Sequence, residues 1–468
     1  MNNADRHNDT RAAIGLSYGE VLALHKELRG LIDIHAAPTA REEEIVTRLK
    51  RTYLPGVRPE VKLVDGGLAP GDVWSTQVMI DRIVGHLSRE GEAYLDSAVS
   101  LADLMMTAIN DPKTGVVIPA DGVRAPVLVK YQPPTSRDYK ATITKIRLRS
   151  PEEASKYEKG NLPVPHYANL STSMALQGAL EMAHWILDHP DIHDRKAPQI
   201  DGLRYRTGDT YIEKARFWVL RAKDTFDHFE KHRPLDEKKG VWCKTVLDAG
   251  NASGIGQTVL PTNRFMIFNA AYLFTGAALR KMGAKEYGPW YERSMHVARL
   301  GIKFWREVSI NGDHLRTRYP KENKYGPLYV WGYSLNSSTE DQAHLGMDLS
   351  GIQRIAKHAP QALTEQDWKA IANALYSGCY DYEKHAVNKG MFRDTQERGQ
   401  AVFRVYAPPY GGIVGKHMPQ DAYERFVNEH LLLWDERLGK GLLGRIDTYK
   451  MPLEIIDARR ARYRKEAQ

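Results

Sequence analysis

Apolar residues recur three and four positions apart along most of the chain, the spacing that gathers them on one face of an α-helix. The pattern predicts helices over Tyr18–Leu31, Glu42–Tyr53, Val73–Leu87, Ala93–Ile109, Leu170–Leu187 and Thr210–His232. It predicts further helices over Arg264–Lys281, Tyr287–Trp305, Glu340–Ala356, Glu365–Lys384 and Gln420–Trp434. Several have chemically sensible starts. Thr339 precedes Glu340 and Asp341, and Thr364 precedes Glu365 and Asp367, each a capping hydroxyl followed by first-turn acids. Pro261-Thr262-Asn263 opens another helix. Strand patterning is confined to Val117–Ile118, Pro126–Tyr131 and Ala141–Leu148. Strands do not alternate with helices, so a doubly wound α/β sheet is a poor fit.

This pattern predicts a mainly all-α protein with a minor β element. No strict repeat of roughly 33–47 residues is present, which argues against the common solenoids. A closed ring of about six or seven helical hairpins, an (α/α) toroid, accommodates irregular helix pairs of this kind. Residues 1–70 then form a helical extension packed on the ring, and residues 71–468 form the ring itself. The stretches Arg233–Thr262, Ser309–Thr339 and Asn388–Met418 read as long loops rich in Gly, Pro, Asn, Tyr and Arg. Loops of that composition on a helical scaffold carry function.

Charge narrows the partners. The formal net charge is +8, with Lys and Arg spread along the chain, and such a surface favours polyanions. The cluster Arg459, Arg460, Arg462, Arg464 and Lys465 reads as a solvated helix end. The two cysteines, Cys243 and Cys379, fit no metal spacing and no disulfide framework; two free thiols are expected, with one isolated disulfide as the alternative. No apolar run reaches the roughly 18 residues of a membrane span, so no membrane partner is expected. Met1–Thr10 lacks the apolar stretch of a secretion signal. The expectation is a cytoplasmic protein, or a secreted or periplasmic one whose leader has been removed.

Four segments carry candidate chemistry. In the first, Trp331 and Tyr333 lead into a helix bearing Glu340, Asp341, His344 and Asp348. His344 stands four residues from both Glu340 and Asp348, so the three share a face and a carboxylate can orient the imidazole. One histidine among carboxylates is a poor zinc set, so no metal or other cofactor is predicted, a charge-neutralising divalent ion aside. In the second, Trp242 and a Gly-rich loop run into the adjacent Asn263 and Arg264 at a helix start, where an amide and a guanidinium can meet a carboxylate. The third places His166 and Asn169 before the helix Leu170–Leu187. The fourth sets Arg404 and Tyr410 on a proline-stiffened loop, where a phenol beside a cation ionises more easily. Arg318 and Tyr325 lie on another aromatic and basic loop. Aromatics for stacking, with Arg for carboxylates, fit an acidic glycan; they also fit single-stranded nucleic acid.

The helical layout over about residues 70–440, the Asn263-Arg264 helix start, the His344 helix and the Arg/Tyr loops resemble the polysaccharide lyases built on an (α/α) toroid, especially the alginate and glucuronan lyases. The Asn-Asn-His triplet of one alginate-lyase family is not present, because Arg264 follows Asn263. The resemblance implies β-elimination beside a uronic acid, with an acidic polysaccharide as partner rather than nucleic acid. It implies that Asn263 neutralises the sugar carboxylate with Arg264 or Arg404 assisting, and that His344 and Tyr410 are base and acid. Tyr333, His166 and Asn169 stand in reserve, and Trp242 and Trp331 stack on sugar rings. The competing readings are a glycoside hydrolase pairing Glu340 or Asp341 with Asp248 or Asp313, and a non-catalytic helical polyanion-binding protein.

Overall fold

The structure is a computed structural model. It describes residues 17–52, 63–64, 67–68, 95–106, 129–132, 134–135, 139–149, 151–162, 164–167, 169–202, 206–232, 235–242, 259–260, 262–311, 320–332, 339, 342–388, 390–392, 410–440 and 446–464. The expected helix Val73–Leu87 and strand Val117–Ile118 lie outside these residues. The chain divides into two compact units, one made of residues 1–59, 305–356 and 360–468, the other of residues 60–304 and 357–359. The boundary expected from the sequence, between an N-terminal extension and the ring, is at residue 70.

The protein is mainly helical. The described helices are α1 (Tyr18–Leu31), α2 (Ala40–Thr52), α3 (Leu95–Met106), α4 (Tyr139–Arg149), α5 (Pro151–Lys159), α6 (Asn169–Leu187) and α7 (Tyr211–His232). They continue with α8 (Thr262–Lys281), α9 (Gly288–Asn311), α10 (Gln342–His358), α11 (Glu365–Gly378), α12 (Tyr410–His417), α13 (Gln420–Gly439) and α14 (Ile446–Tyr463). Among the described residues the strands form five antiparallel pairs: β1 (Leu63–Val64) with β2 (Gly67–Leu68), β3 (Val129–Gln132) with β4 (Val164–Tyr167), β5 (Leu235–Asp236) with β6 (Val241–Trp242), β7 (Glu322–Asn323) with β8 (Gly326–Pro327), and β9 (Tyr380–Asp381) with β10 (Ala386–Val387).

One expected strand is a helix. Ala141–Leu148 alternates β-branched and polar residues, yet it forms the body of α4. Tyr139, Ile143 and Ile146 fall at helical spacing and bury themselves with Ala154 and Tyr157 of α5. Tertiary burial outweighs the period-two pattern here.

In the second unit, α8 and α7 pack on α6, and α3 joins them. Lys214 and Asp103 form a fully buried ion pair there, with Trp218 Nε1 donating to Asp103 at 2.8 Å and Lys214 Nζ donating to Thr207 at 2.8 Å. In the first unit, α12 and α13 pack on α14, and α2 packs on the other flank of α14. Arg459 of α14 is buried against Glu42 of α2 and donates Nε–H to the Ala36 carbonyl at 3.1 Å. The basic cluster expected to be solvated is therefore partly a staple. Arg460 pairs with Glu43 and Asp457, and only Arg464 of the described arginines there is half exposed.

α12 lies inside the stretch expected to be a loop, because Gly411, Gly412 and Gly415 read as turn residues. Two of these glycines serve the packing instead. A Cβ on Gly411 would lie 2.0 Å from the Glu454 carbonyl oxygen, and one on Gly415 would lie 2.2 Å from that of Ala458, so α14 approaches α12 at backbone distance. Glu454 also accepts the backbone N–H groups of Tyr410 and Gly411 at the start of α12, satisfying donors that have no partner within the helix. A Cβ on Gly412 would meet nothing within 4 Å. Gly412→Ala is therefore expected to stabilise the protein by roughly 0.5–1 kcal/mol. Gly415→Ala is expected to cost about 1–3 kcal/mol through overpacking. Urea midpoints of the two variants check the opposite signs.

Burial pushes His25, His358 and His430 down from their ordinary value of 6.5 to about 4, and His184 to about 3; it lowers His417 as well. Their neutral forms are built into the packing. His184 Nε2 pairs with the Phe274 carbonyl at 2.9 Å, and its ring lies 5.0 Å from that of His358. His430 Nδ1 pairs with the Phe426 carbonyl at 2.8 Å, and its Nε2 lies 3.0 Å from the Tyr380 hydroxyl. The unfolded chain takes up these protons first as pH falls. Stability is thus fully present above about pH 6.5 and is lost progressively down to about pH 4. Denaturation midpoints measured across that window are expected to fall with pH, and a flat profile would contradict the burial of these rings.

Candidate functional site

Three of the strand pairs share one construction. A helix ends, a short hairpin follows, and a long segment then leads to the next helix: α7 with β5–β6 before α8, α9 with β7–β8 before α10, and α11 with β9–β10 before α12. The first two fall within the expected loops Arg233–Thr262 and Ser309–Thr339, whereas β9–β10 precedes the expected loop Asn388–Met418. Hydrogen bonds pin their feet. Leu260 donates its N–H to the Trp242 carbonyl at 2.9 Å, Gly332 pairs with Thr339, and Phe392 donates to the Gly378 carbonyl at 2.7 Å.

The predicted residues fall as follows. Asn263 and Arg264 lie in the first turn of α8, with Arg264 half-buried. His166 is in β4 and Asn169 begins α6. All four belong to the second unit, whereas His344, Tyr410 and Tyr325 belong to the first. His344 is half-buried in the first turn of α10, just beyond the pinned foot at Thr339. Tyr333, Arg318 and Arg404 lie outside the described residues, as do Glu340, Asp341, Asp248 and Asp313.

Three aromatic residues expected to face substrate are in the core. Trp242 has no exposure; its ring lies among Phe226, Phe268 and Tyr272, and its Nε1 donates to Asn269 at 3.0 Å. Trp331 is 1% exposed, packs edge-on against Trp305 and donates to Asp348 at 2.8 Å. That bond engages the carboxylate one turn beyond His344. Tyr410 also has no exposure. Long apolar spacing around an aromatic residue in a loop gives no sign of whether its ring faces in or out.

A different group of side chains converges on one face of α13. Asp421, Arg425 and Glu429 stand four residues apart, so they line that face at intervals of about 6 Å. Glu429 is 8% exposed and receives His385 Nδ1 at 2.8 Å on one oxygen and 3.1 Å on the other. An ionised carboxylate accepts only, so the Nδ1 carries a proton in this bond. The His385 side chain is 41% exposed. The Arg425 guanidinium is exposed and lies 4.6 Å from the centre of the Tyr382 ring. It forms no carboxylate ion pair among the described residues. Tyr382 stacks on Tyr376 at 4.7 Å, and Tyr376 meets Tyr325 edge-on at 5.5 Å. Tyr325 donates its hydroxyl to Asp421 at 2.6 Å, and Lys324 approaches the same carboxylate at 3.3 Å.

The electrostatics assign these groups different duties. Burial raises the Tyr376 phenol to about 12 and pushes Tyr382 well above its ordinary range. Burial, reinforced by the bond to Asp421, raises Tyr325 as well. All three phenols stay protonated near neutrality and serve as donors and stacking surfaces.

His385 also stands in an unusual backbone state. Its φ is +49°, in the left-handed region that side chains avoid. The hairpin β5–β6 shows why the position requires it. Asp236 accepts the N–H groups of Lys238 and Lys239, and Gly240, with φ +63°, precedes β6. In β9–β10, Asp381 accepts those of Glu383 and Lys384, and His385 precedes β10. The same turn is built with glycine in one unit and with histidine in the other.

The expected helix Glu365–Lys384 ran across this turn, which hid His385; α11 ends at Gly378. The sequence signal that was there is the match between Asp236-Glu-Lys-Lys-Gly240 and Asp381-Tyr-Glu-Lys-His385. Among the described residues no group of three or more His, Cys, Asp or Glu is arranged to hold a metal ion, and no helix is long and apolar enough to cross a membrane. Comparisons with protein-family models, curated proteins and solved structures find no match.

Proposed function

We propose that this protein is a polysaccharide lyase that cleaves a uronic-acid polymer, of the glucuronan or alginate type, by β-elimination. The observation that carries the reading is the α13 face, where a guanidinium without a carboxylate partner among the described residues, a carboxylate-held imidazole and a row of phenols lie together. Elimination needs a cation to quench the sugar carboxylate, a base for the C5 proton and donors for the sugar hydroxyls. Arg425, His385 and Tyr325 supply these in turn. The net charge of +8 favours an acidic polymer over a neutral one. Ring closure of the helical hairpins into an (α/α) toroid belongs to the same proposal, and the helix–hairpin–loop–helix construction, used three times, supports it.

His344 of the first unit is the second candidate proton carrier in this reading. His344→Ala and Arg425→Gln separate it from the α13 face.

The test is a panel of uronate polymers scored by ultraviolet absorbance of unsaturated ends. The wild type is expected to generate them on at least one polymer, and Arg425→Gln to raise KM at least about tenfold by removing a charge-assisted contact. No unsaturated ends on any uronate polymer would remove the lyase reading.

A further inference from the structure

We infer that residues 129–167 form a polymer-holding arm, a helical hairpin on a two-stranded stalk whose lysines bind an acidic polysaccharide. The arm belongs to the second unit, whereas the α13 face belongs to the first. The inference rests on the lyase reading only for the choice of polymer, a polyuronate, and adds to it a second binding surface.

The construction of the arm comes first. β3 and β4 pair antiparallel from Val129 with Tyr167 to Gln132 with Val164, and α4 and α5 stand between them in the chain. The stalk runs directly into α6, which begins at Asn169 and on which α7 and α8 pack. Among the described elements, α4 and α5 pack chiefly on each other, and α4 also leans on β4. Tyr139, Ile143 and Ile146 close over Ala154 with Tyr157 against them, and the Tyr139 hydroxyl donates to the Tyr157 carbonyl at 3.3 Å. The hairpin thus has a small core of its own. Helices of 11 and 9 residues are too short to persist alone in water. The paired strands bring their ends together and so lower the entropy lost in docking one helix on the other.

Charge then names the partner. Residues 129–167 hold eight Lys and Arg against four Asp and Glu, so one twelfth of the chain carries half of its net charge of +8. α4 bears Lys140, Lys145, Arg147 and Arg149 and no acid. Lys140 and Arg147 are exposed two turns apart on one flank of α4. Arg147 pairs with Glu158 of α5. Lys140, with Lys156 and Lys159 of α5, is exposed and makes no ion pair among the described residues. Ammonium groups on flexible stems are mobile point charges, which suit carboxylates spaced along a polymer. Single-stranded nucleic acid is held by stacked rings as well as by charge. The rings of this helical hairpin are spent on its core: Tyr139 is 7% exposed and Tyr157 packs against it. α4 is about 16 Å long, enough to lie along several sugar units. A hold of this kind keeps the polymer near the protein between cleavage events and raises its effective concentration at a second surface.

The experiment measures binding of the whole chain to immobilised polyglucuronate and alginate by biolayer interferometry at several salt concentrations. Two variants are compared with the wild type. The first combines Lys140→Gln, Lys156→Gln and Lys159→Gln, and keeps the arm's core and its Arg147–Glu158 pair. The second replaces residues 133–163 with Asn-Gly, which closes the stalk as a two-residue hairpin between Gln132 and Val164. Circular dichroism checks that both are folded. The triple variant is expected to bind at least about fivefold more weakly at low salt, with a shallower fall of affinity as salt rises. The deletion is expected to lose at least as much. Amide hydrogen exchange in residues 139–159 of the wild type is expected to slow when polymer is added, a local readout that a distant binding site would not give. Where unsaturated ends form, the triple variant is expected to raise KM for polymer and leave kcat unchanged. Wild-type affinity in the folded triple variant, unchanged exchange in the arm at saturating polymer, or no binding to either polymer would overturn the inference. Tighter arm-dependent binding to single-stranded or duplex nucleic acid than to both polyuronates at the same salt would overturn it too. Arm-independent binding with cleavage would leave the lyase reading in place without the arm, whereas arm-dependent binding without unsaturated ends would uphold the arm and remove the lyase reading.

Discussion

A carboxylate taken out of water must be given a partner. Glu429, turned inward from α13 and nearly buried, receives the imidazole of His385, and this single bond organises the face around it. It draws the β9–β10 hairpin onto α13, which sets Tyr382 beneath Arg425 and brings Tyr376 and Tyr325 into line behind it. The hairpin in turn holds its histidine in a backbone state that a free chain would leave. Bonds of this kind, between a charged acceptor and an imidazole donor, contribute roughly 1.5–3 kcal/mol, enough to offset left-handed strain of roughly 1–2 kcal/mol.

The same economy of buried charge runs through both units. Asp103 with Lys214, and Glu42 with Arg459, are ion pairs with almost no exposure. Such pairs add little net stability over apolar side chains of the same volume, yet removing one partner leaves a stranded charge. They specify which helices meet. The Glu42–Arg459 pair joins residues at opposite ends of the chain and, together with Arg29–Asp435, fixes the N-terminal helices to the C-terminal ones.

Much of the helical framework is legible in the sequence. Tyr18–Leu31 is predicted to the residue, and α3, α6, α7, α8, α9 and α13 differ from expectation chiefly at their ends. Periodicity reports burial on one face, and these helices bury one face. It fails where burial and local preference part company. β-Branched residues suggested a strand for α4, and glycines suggested a loop for α12, but the packing of α5 and the close approach of α14 decide both. The end of α11 was missed because apolar spacing continues through Tyr380 and Tyr382 into the hairpin. The candidate site was harder to see. Tyr325 was identified, and the value of arginine and histidine among aromatics was recognised, but the pairings were not. A hydrogen bond between positions 385 and 429 has no local signature. Nor does sequence reveal that Trp242, Trp331 and Tyr410 turn inward.

The two matching turns, Gly240 in one unit and His385 in the other, have a consequence for how this molecule can change. Glycine is the residue that the backbone geometry asks for, and in β5–β6 it is the residue present. At 385 the geometry asks for glycine, and the proposed function asks for imidazole. Selection for thermal endurance alone would pull that position toward the smaller residue and erase the proposed site, so sturdiness and the proposed use are opposed there. Efforts to harden this scaffold have more room at helix positions with open space beside them, such as Gly412.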